Sequence, residues 1–263
     1  MRSRSGLLCS ALVLLVTLPA VARAQDAEAL AKQTQNPVAS LISVPLQGNW
    51  DFGLGDADET ATLLNIQPVM PFGVSPSTNV ILRVIMPLTS QPGPDGVRAN
   101  GLGDIVATAF FSPAKSGRLI WGVGPVVLLP SATNNSLGSE KFGIGPSVVA
   151  LIQPGKWTIG ALFNQIWSTS GAADRSDVNS TFLQPFANYN LGHGLSVGVS
   201  TEATANWEAD DTWTAPLLFN LSKVALLGKR PVSFVVAAGP TLASSDEAAS
   251  WRFRMGVTFL FPR

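Results

Sequence analysis

From residue 41 onward the chain is a succession of short segments bounded by clusters of Gly, Pro, Asn, Asp and Ser, each rich in Val, Ile, Thr, Phe and Trp. About twelve such segments can be marked: Leu41 to Phe52, Ala61 to Pro71, Asn79 to Thr89, Asp104 to Ser112, Arg118 to Leu129 and Phe142 to Gln153, then Lys156 to Ser168, Ser180 to Asn190, Leu195 to Ala205, Thr212 to Ser222, Pro231 to Leu242 and Trp251 to Phe261. Several alternate with period two, which sends successive side chains to opposite faces of a sheet. Leu195, Val197, Val199, Ala203 and Ala205 share one face, while Ser196, Gly198, Ser200, Glu202, Thr204 and Asn206 share the other. Trp213, Ala215, Leu217, Phe219 and Leu221 separate in the same way from Thr212, Thr214, Pro216, Leu218 and Asn220. Alternation of this kind suits a soluble sandwich with one wet face as well as a barrel in lipid.

The connections discriminate between the two. Odd-to-even links are mostly long (Gly53 to Glu59, Ser90 to Gly103, Pro130 to Glu140, Thr169 to Asn179, Asn206 to Asp211, Ala243 to Ser250), whereas even-to-odd links are mostly tight. The tight ones are Phe72 to Thr78, Pro113 to Gly117, Pro154 to Gly155 and Leu191 to Gly194, with Lys223 to Arg230 as a longer member. Short turns at one end and longer loops at the other are the pattern of an outer-membrane β-barrel, and segments of ~9–11 residues suffice for a tilted strand to cross a bilayer. Charge keeps the same phase. The long loops hold Asp56, Asp58, Glu59, Asp95, Glu140, Asp174, Asp177, Glu208, Asp210, Asp211, Asp246 and Glu247, 12 of the 17 acids. The opposite rim carries Lys115, Arg118, Lys156, Lys223, Lys229, Arg230 and Arg263. Acidic outer loops would suit divalent cations bridging lipopolysaccharide, through hard oxygen ligands. The seven tryptophans fall mainly near segment ends, as aromatic girdles require, with Trp121 the poorest fit.

Composition and the first two dozen residues agree with export. The chain is 46% hydrophobic and only 13% charged, against about 25% charged in an average soluble domain. Arg2 and Arg4 precede an apolar run from Leu7 to Leu18, and Ala22-Arg23-Ala24 supplies a small-x-small cleavage pattern before Gln25. Residues 1–24 therefore read as a secretory signal peptide, 25–40 as an N-terminal periplasmic or plug segment, and 41–263 as the barrel. Loss of Arg2, Arg4 and Arg23 takes 17 basic residues to 14 against 17 acids, a net charge of −3. The sequence has no basic stripe with interleaved aromatics, so nucleic acid is not an expected partner. Cys9, the sole cysteine, lies in the signal, which removes disulfides and thiolate metal sites from the mature chain.

The last segment is the most specific. Arg254-Met255-Gly256-Val257-Thr258-Phe259-Leu260-Phe261 has the polar, Gly, aromatic and aromatic spacing of the insertion signal read by the barrel assembly machinery, carried by Arg254, Gly256, Phe259 and Phe261. Such an amphipathic edge would be an aggregation hazard in a soluble protein, and barrel closure removes it. Leu30 to Leu46, Trp121-Gly122-Val123-Gly124-Pro125, Glu140 to Pro146, Thr181 to Phe186 and Val257 to Pro262 together resemble a family of bacterial outer-membrane proteins over nearly the whole mature chain. Its members are often called transporters or placed in a MetA-pathway phenol-degradation family, and some carry the misleading label neuromedin U. The resemblance implies an all-β, antiparallel transmembrane barrel in the cell outer membrane and a channel or transport role; it brings no catalytic residues.

A barrel of about twelve strands is expected to have a narrow or partly plugged lumen. Parity opposite the apolar faces assigns Asn65, Gln67, Arg83, Asp104, Asn164, Gln184, Asn188, Glu202, Asn220, Arg252 and Arg254 to it. Arg83 with Asp104, and Glu202 with Arg252 or Arg254, are the expected charge pairs, either cross-linking the wall or tuning selectivity. Asp26 to Ser40, with Ala27, Leu30, Ala31 and Thr34 at helical spacing before Pro37, reads as a short helix, a lumen plug or an unstructured leader. The expected function is passage of small, aromatic or otherwise hydrophobic molecules, with a structural or surface-interaction role as the alternative and a barrel lipid hydrolase behind both. His193, the only histidine, sits in a Gly192-His193-Gly194 turn on the periplasmic side, away from where a Ser-His mechanism would need it. Asp210 and Asp211 read as solvated loop charges, and Gly101-Leu102-Gly103 and Gly143-Ile144-Gly145 as barrel bends rather than nucleotide loops. No cofactor or metal is expected.

Overall fold

The structure, a computed structural model, describes residues 27–93, 97–210, 213–228, 230–242 and 248–262. The export signal read at 1–24, Asp26, and the loop or rim charges Asp95, Asp211, Lys229, Asp246, Glu247 and Arg263 lie outside the described residues. Sixteen strand segments join into twelve antiparallel strands. In chain order these are β1 (Ile42–Leu54), β2 (Glu59–Ile66 continued by Val69–Gly73), β3 (Thr78–Gln91), β4 (Ala99–Leu102 continued by Ile105–Pro113), β5 (Leu119–Leu129) and β6 (Lys141–Ile152). They continue with β7 (Trp157–Gly171), β8 (Asn179–Gly192), β9 (Leu195–Thr201 continued by Ala203–Asn206), β10 (Trp213–Thr214 continued by Leu217–Leu227), β11 (Arg230–Pro240) and β12 (Trp251–Phe261). A short helix, α1, covers residues 27–34.

Each strand pairs with its sequence neighbours, and β12 returns to β1 through eleven consecutive pairs from Ile42↔Phe261 to Phe52↔Trp251, so the sheet closes. Closure leaves no edge strand and satisfies the backbone between neighbours, the condition for a sheet to cross lipid. Among the described residues no helix is long and apolar enough to span a membrane. The pleat sorts the side chains in the sense opposite to a soluble protein. Phe111, Ile144, Phe163, Phe219, Leu221 and Met255 stand on the outer wall, Phe219 with 60% of its surface free, while Ser147, Thr158 and Ser196 on the inner wall have none. Trp50, Trp167, Trp207, Trp213 and Trp251 lie at the long-loop end. Trp157, packed edge-on against Tyr189 at 4.9 Å, lies at the short-turn end. Trp121 joins that second girdle: it is two residues from the start of β5 and 40% exposed on the outer wall.

The ladder is interrupted where Gly-Pro steps occur. Pro125 and Pro146 cannot donate to the ladder, and pairing lapses between Thr108↔Val126 and Phe111↔Val123, and between Ile144↔Trp167 and Ser147↔Asn164. A Cβ on Gly124 would stand 1.8 Å from Ala109 O, and one on Gly145 1.8 Å from Gln165 O, so only glycine permits the strands to meet there. One connection departs from the sequence reading. Strand β10 continues to Leu227 instead of ending at Ser222, pairing Val224 with Ser233 and Leu226 with Pro231, so that two residues separate β10 from β11 where a longer link is expected. Lys223 suggests a turn by its charge, but its Nζ reaches along the rim to donate to His193 O at 2.7 Å, so the cation remains at the wet end of a continuing strand.

Candidate functional site: the barrel interior

The inner wall carries a polar belt built from five strands. On β12, successive inward positions are Arg252 and Arg254; on β1 they are Asn49 and Asp51, each directly opposite one of those arginines. Arg252 holds Asp51 through two bonds, Nε to Oδ1 at 2.6 Å and Nη2 to Oδ2 at 2.9 Å, and Arg254 Nε donates to Asn49 Oδ1 at 2.7 Å. Arg254 then reaches past β11 and β10 to Glu202 on β9, with Nη1 to Oε1 at 2.7 Å and Nη2 to Oε2 at 2.6 Å. The paired residues on β11, Ala237 and Gly239, are small and leave room for the guanidinium groups. Arg252 Nη1 also approaches Glu202 Oε2 at 3.5 Å, and Gln184 Nε2 on β8 donates to Oε1 at 3.2 Å. Two forked arginine–carboxylate pairs, the stronger class of hydrogen-bonded ion pair, thus cross-link the interior. On the other side Arg83 of β3 donates through Nη2 to Gln67 Oε1 at 2.9 Å.

Asp104 is not part of this belt. It sits in the break of β4, where Oδ1 accepts from Ala132 N at 3.2 Å and Oδ2 from Ser139 N at 2.6 Å and Ser139 Oγ at 2.7 Å, clasping the loop between β5 and β6. The expected Arg83–Asp104 pair is therefore absent, because both carboxylate oxygens are satisfied locally. Asn164 faces inward and is hydrogen-bonded by Ser147. Asn65, Asn188 and Asn220 also fall on inward positions, opposite Gln47, Thr158 and Gly198 respectively. Sequence reasoning passed over Asn49 and Asp51, although Gln47, Asn49 and Asp51 alternate with Leu46, Trp50 and Phe52 and carry the signal.

Below the belt, towards the short-turn end, the N-terminal segment lies inside the barrel. Helix α1 ends where Thr34 Oγ1 bonds Ala31 O and Asn36 Oδ1 takes Val38 N ahead of an extended entry into β1. Val38 packs among the inward Ile81, Phe110, Ile120, Val149, Leu151 and Leu162, and Ala31, Ala39 and Leu41 pack on Val224 and Leu260. Polar bonds fix the register of the segment in the wall. Gln35 Nε2 donates to Asn190 Oδ1 at 3.1 Å and Ser196 Oγ at 3.0 Å; Lys32 Nζ reaches Gly155 O at 2.6 Å, and Gln153 Nε2 reaches Lys32 O at 2.9 Å. A segment otherwise short of apolar surface is held by burial of Val38 and Leu41, worth ~1.5–3 kcal/mol each when complete, together with these satisfied amides.

Two cavities border the segment. One, about 160 Å³, lies between it and the belt and touches Gln67, Arg83 and Gln184. The other, about 490 Å³, opens at the short-turn end between α1 and Val224, Leu226 and Pro262. His193, with a φ of 52°, and Gly194, with 74°, make the tight turn between β8 and β9. Among the described residues no three His, Cys, Asp or Glu side chains converge as a metal site would require.

Residues 45–226 match the model of the family described as "Putative MetA-pathway of phenol degradation", most of the barrel. The chain belongs to that family. Its fold is shared with the COG4313 outer-membrane channel from Pseudomonas putida F1, at a TM-score of 0.66 and 15% identity over 86% of this chain and 97% of that one. The NanC porin is similar at a TM-score of 0.54 and 13% identity, over 82% of this chain and 98% of the porin. These likenesses make this member of the phenol-degradation family an outer-membrane type of barrel in architecture. No curated protein sequence matches it significantly.

Proposed function

We propose that this chain is an outer-membrane channel for small, hydrophobic or aromatic solutes, oriented with its short turns in the periplasm and closed at that end by residues 27–41. The observation that carries the reading is the seating of Val38 among inward-facing side chains: the segment lies within the lumen and is attached to β1 by a short extended stretch. The inner wall of β3 to β7 at that level is apolar, with Ile81, Phe110, Ile120, Val149 and Leu162, and a solute replacing the segment would meet that surface. The arginine–carboxylate belt narrows the path above. The residues that read as an export signal and as an assembly signal, and the acidic loops facing lipopolysaccharide, fit the same location.

A reversible lock tests it. A Cβ on Gly122 would lie 2.9 Å from Val38 Cγ1, close to the roughly 3 Å that a bond of ~2.05 Å between sulfurs sets between one Cβ and the opposite sulfur. Val38→Cys with Gly122→Cys should therefore form a disulfide in a mature chain without other thiols. In planar bilayers and liposome-swelling assays the oxidised pair should be closed and the reduced pair open. Equal conductance in both states rejects the plug. No conductance and no solute uptake, in the wild type and in a chain lacking 27–40, rejects transport.

A further inference from the structure

Among the described residues the charges of the belt do not balance: Arg83, Arg252 and Arg254 stand against Asp51 and Glu202, three positive groups against two negative. Both carboxylates are engaged, Asp51 by Arg252 and Glu202 chiefly by Arg254. Arg83 has Gln67 Oε1 as its side-chain acceptor, and among the described residues none of the ion pairs includes it. Glu202 attracts it through space without touching it; a guanidinium has five N–H donors and does not lose its proton, and removing one from bulk water with no carboxylate in contact is costly. Beside it lies the cavity of about 160 Å³, room for roughly five waters at ~30 Å³ each or for one small organic anion. Its walls are of two kinds. Gln67, Gln184 and Thr258 line it with polar groups, and Pro37, Leu41 and Val69 line it with apolar surface.

We propose that this cavity binds a small organic monocarboxylate, its two oxygens on the Arg83 guanidinium and its apolar body against Pro37, Leu41 and Val69. A planar carboxylate matches the guanidinium fork, and the apolar wall favours a short alkyl or ring substituent over an inorganic oxyanion. One side of the cavity is the N-terminal segment itself, through Thr34, Asn36, Pro37 and Ala39. The ligand and the seated segment therefore stabilise each other, since a ligand that binds only one of two states favours that state. That coupling rests on the plugged-channel reading; the binding site needs the segment seated as in the structure but not conduction through the barrel.

The test is isothermal titration of the full-length barrel in detergent with sodium butyrate, with sodium acetate, sodium sulfate and 1-butanol as comparators, folding being checked by heat-sensitive gel mobility. Butyrate should bind at one saturable site, at least about tenfold more tightly than either sulfate or the neutral alcohol. Arg83→Gln should lose the binding, and Arg83→Lys should retain part of it because it keeps the charge without the fork. Thr34→Phe, which fills the cavity from the segment side and leaves Arg83 intact, should also abolish it. No saturable heat, equal affinity for 1-butanol, or butyrate binding unchanged in Thr34→Phe and in folded Arg83→Gln overturns the proposal. A barrel that conducts and closes on oxidation of the Val38→Cys/Gly122→Cys pair, yet ignores butyrate, rejects this site and leaves the channel. Butyrate binding in a barrel without conductance does the reverse.

Discussion

Replacing Glu202 by glutamine preserves shape and removes one charge from the centre of the belt. In the wild type that carboxylate takes two bonds from Arg254 at 2.6 and 2.7 Å, one from Gln184 at 3.2 Å and a longer approach from Arg252 at 3.5 Å. The side chains are well shielded, with 16% of Glu202 and 7% of Arg254 exposed. Removing one partner of a buried pair costs about 3–5 kcal/mol, chiefly because the other charge remains desolvated. The lower end applies in an interior that also holds amides able to turn towards Arg254. A loss of about 3 kcal/mol is about 150-fold in the folding equilibrium. Reversible urea unfolding in phospholipid vesicles, followed by tryptophan fluorescence, measures it. Combining Glu202→Gln with Arg254→Met should recover part of the loss, giving a coupling of about 2 kcal/mol. A cost below about 1 kcal/mol for the single substitution, or strict additivity in the double, would show that lumen water screens the pair and that the belt is not a structural cross-link.

Other outcomes follow from local geometry. Lys141 Nζ donates to Asp177 Oδ1 at 3.1 Å at the long-loop end, and that bond, with a second from Ser168, holds the Asp177 carboxyl below the usual carboxylate range. A depressed carboxyl stabilises the folded state above its unfolded pKa of about 3.9 and loses that contribution as pH falls through the folded value. Amides over residues 172–178 should therefore lose protection, taken relative to the intrinsic exchange rate at each pH, only below about pH 4, and Asp177→Asn should show the reduced protection already at neutral pH. Gly145→Ala, whose methyl would meet Gln165 O, should cost about 1–3 kcal/mol, whereas Gly117→Ala, with its nearest neighbour at 3.9 Å, should stay within about 0.5 kcal/mol of wild type; comparable urea midpoints for the two would refute the close-approach account. Thr181 on the outer wall accepts from Trp207 Nε1 at 2.8 Å and bonds Gln165, so Thr181→Val should cost about 1–2 kcal/mol and shift Trp207 emission; an unchanged spectrum would mean the indole is anchored by lipid alone.

The wall of the barrel was legible because its signals are local and repeat: the dyad in β9 and β10, the alternation of loop lengths and the aromatic face of β12 each state the same closed sheet. Parity likewise put Glu202, Arg252 and Arg254 on one face. Which partner each charge meets was not legible, since Glu202 and Arg254 lie three strands apart and are brought together by barrel curvature and by the small Ala237 and Gly239. Asp104 has inward parity too, yet a strand break at Gly103 places its oxygens within reach of the Ala132 and Ser139 amides, and short-range hydrogen bonding prevails over a pair across the wall. The N-terminal segment was ambiguous for a thermodynamic reason: its few apolar residues would suit a disordered leader unless the inner wall offers a matching apolar patch. That patch is distributed over five strands, β3 to β7, and has no sequence signature.

The position of the two forked arginines has a consequence for assembly. Arg252 and Arg254 lie on the last strand, and Asp51 and Asn49 on the first, so both contacts straddle the seam where the ends of the sheet join. An open sheet leaves Arg252 without Asp51 on one margin and an orphaned carboxylate on the other, about two hundred residues away along the chain, while Arg254 keeps Glu202 of β9 and lacks Asn49. The Arg252–Asp51 pair is not made until the final strand docks on the first, which penalises half-zipped intermediates and favours an all-or-none joining of the margins. The same strand that reads as an address for the assembly machinery therefore also carries the clasp that holds the finished cylinder shut.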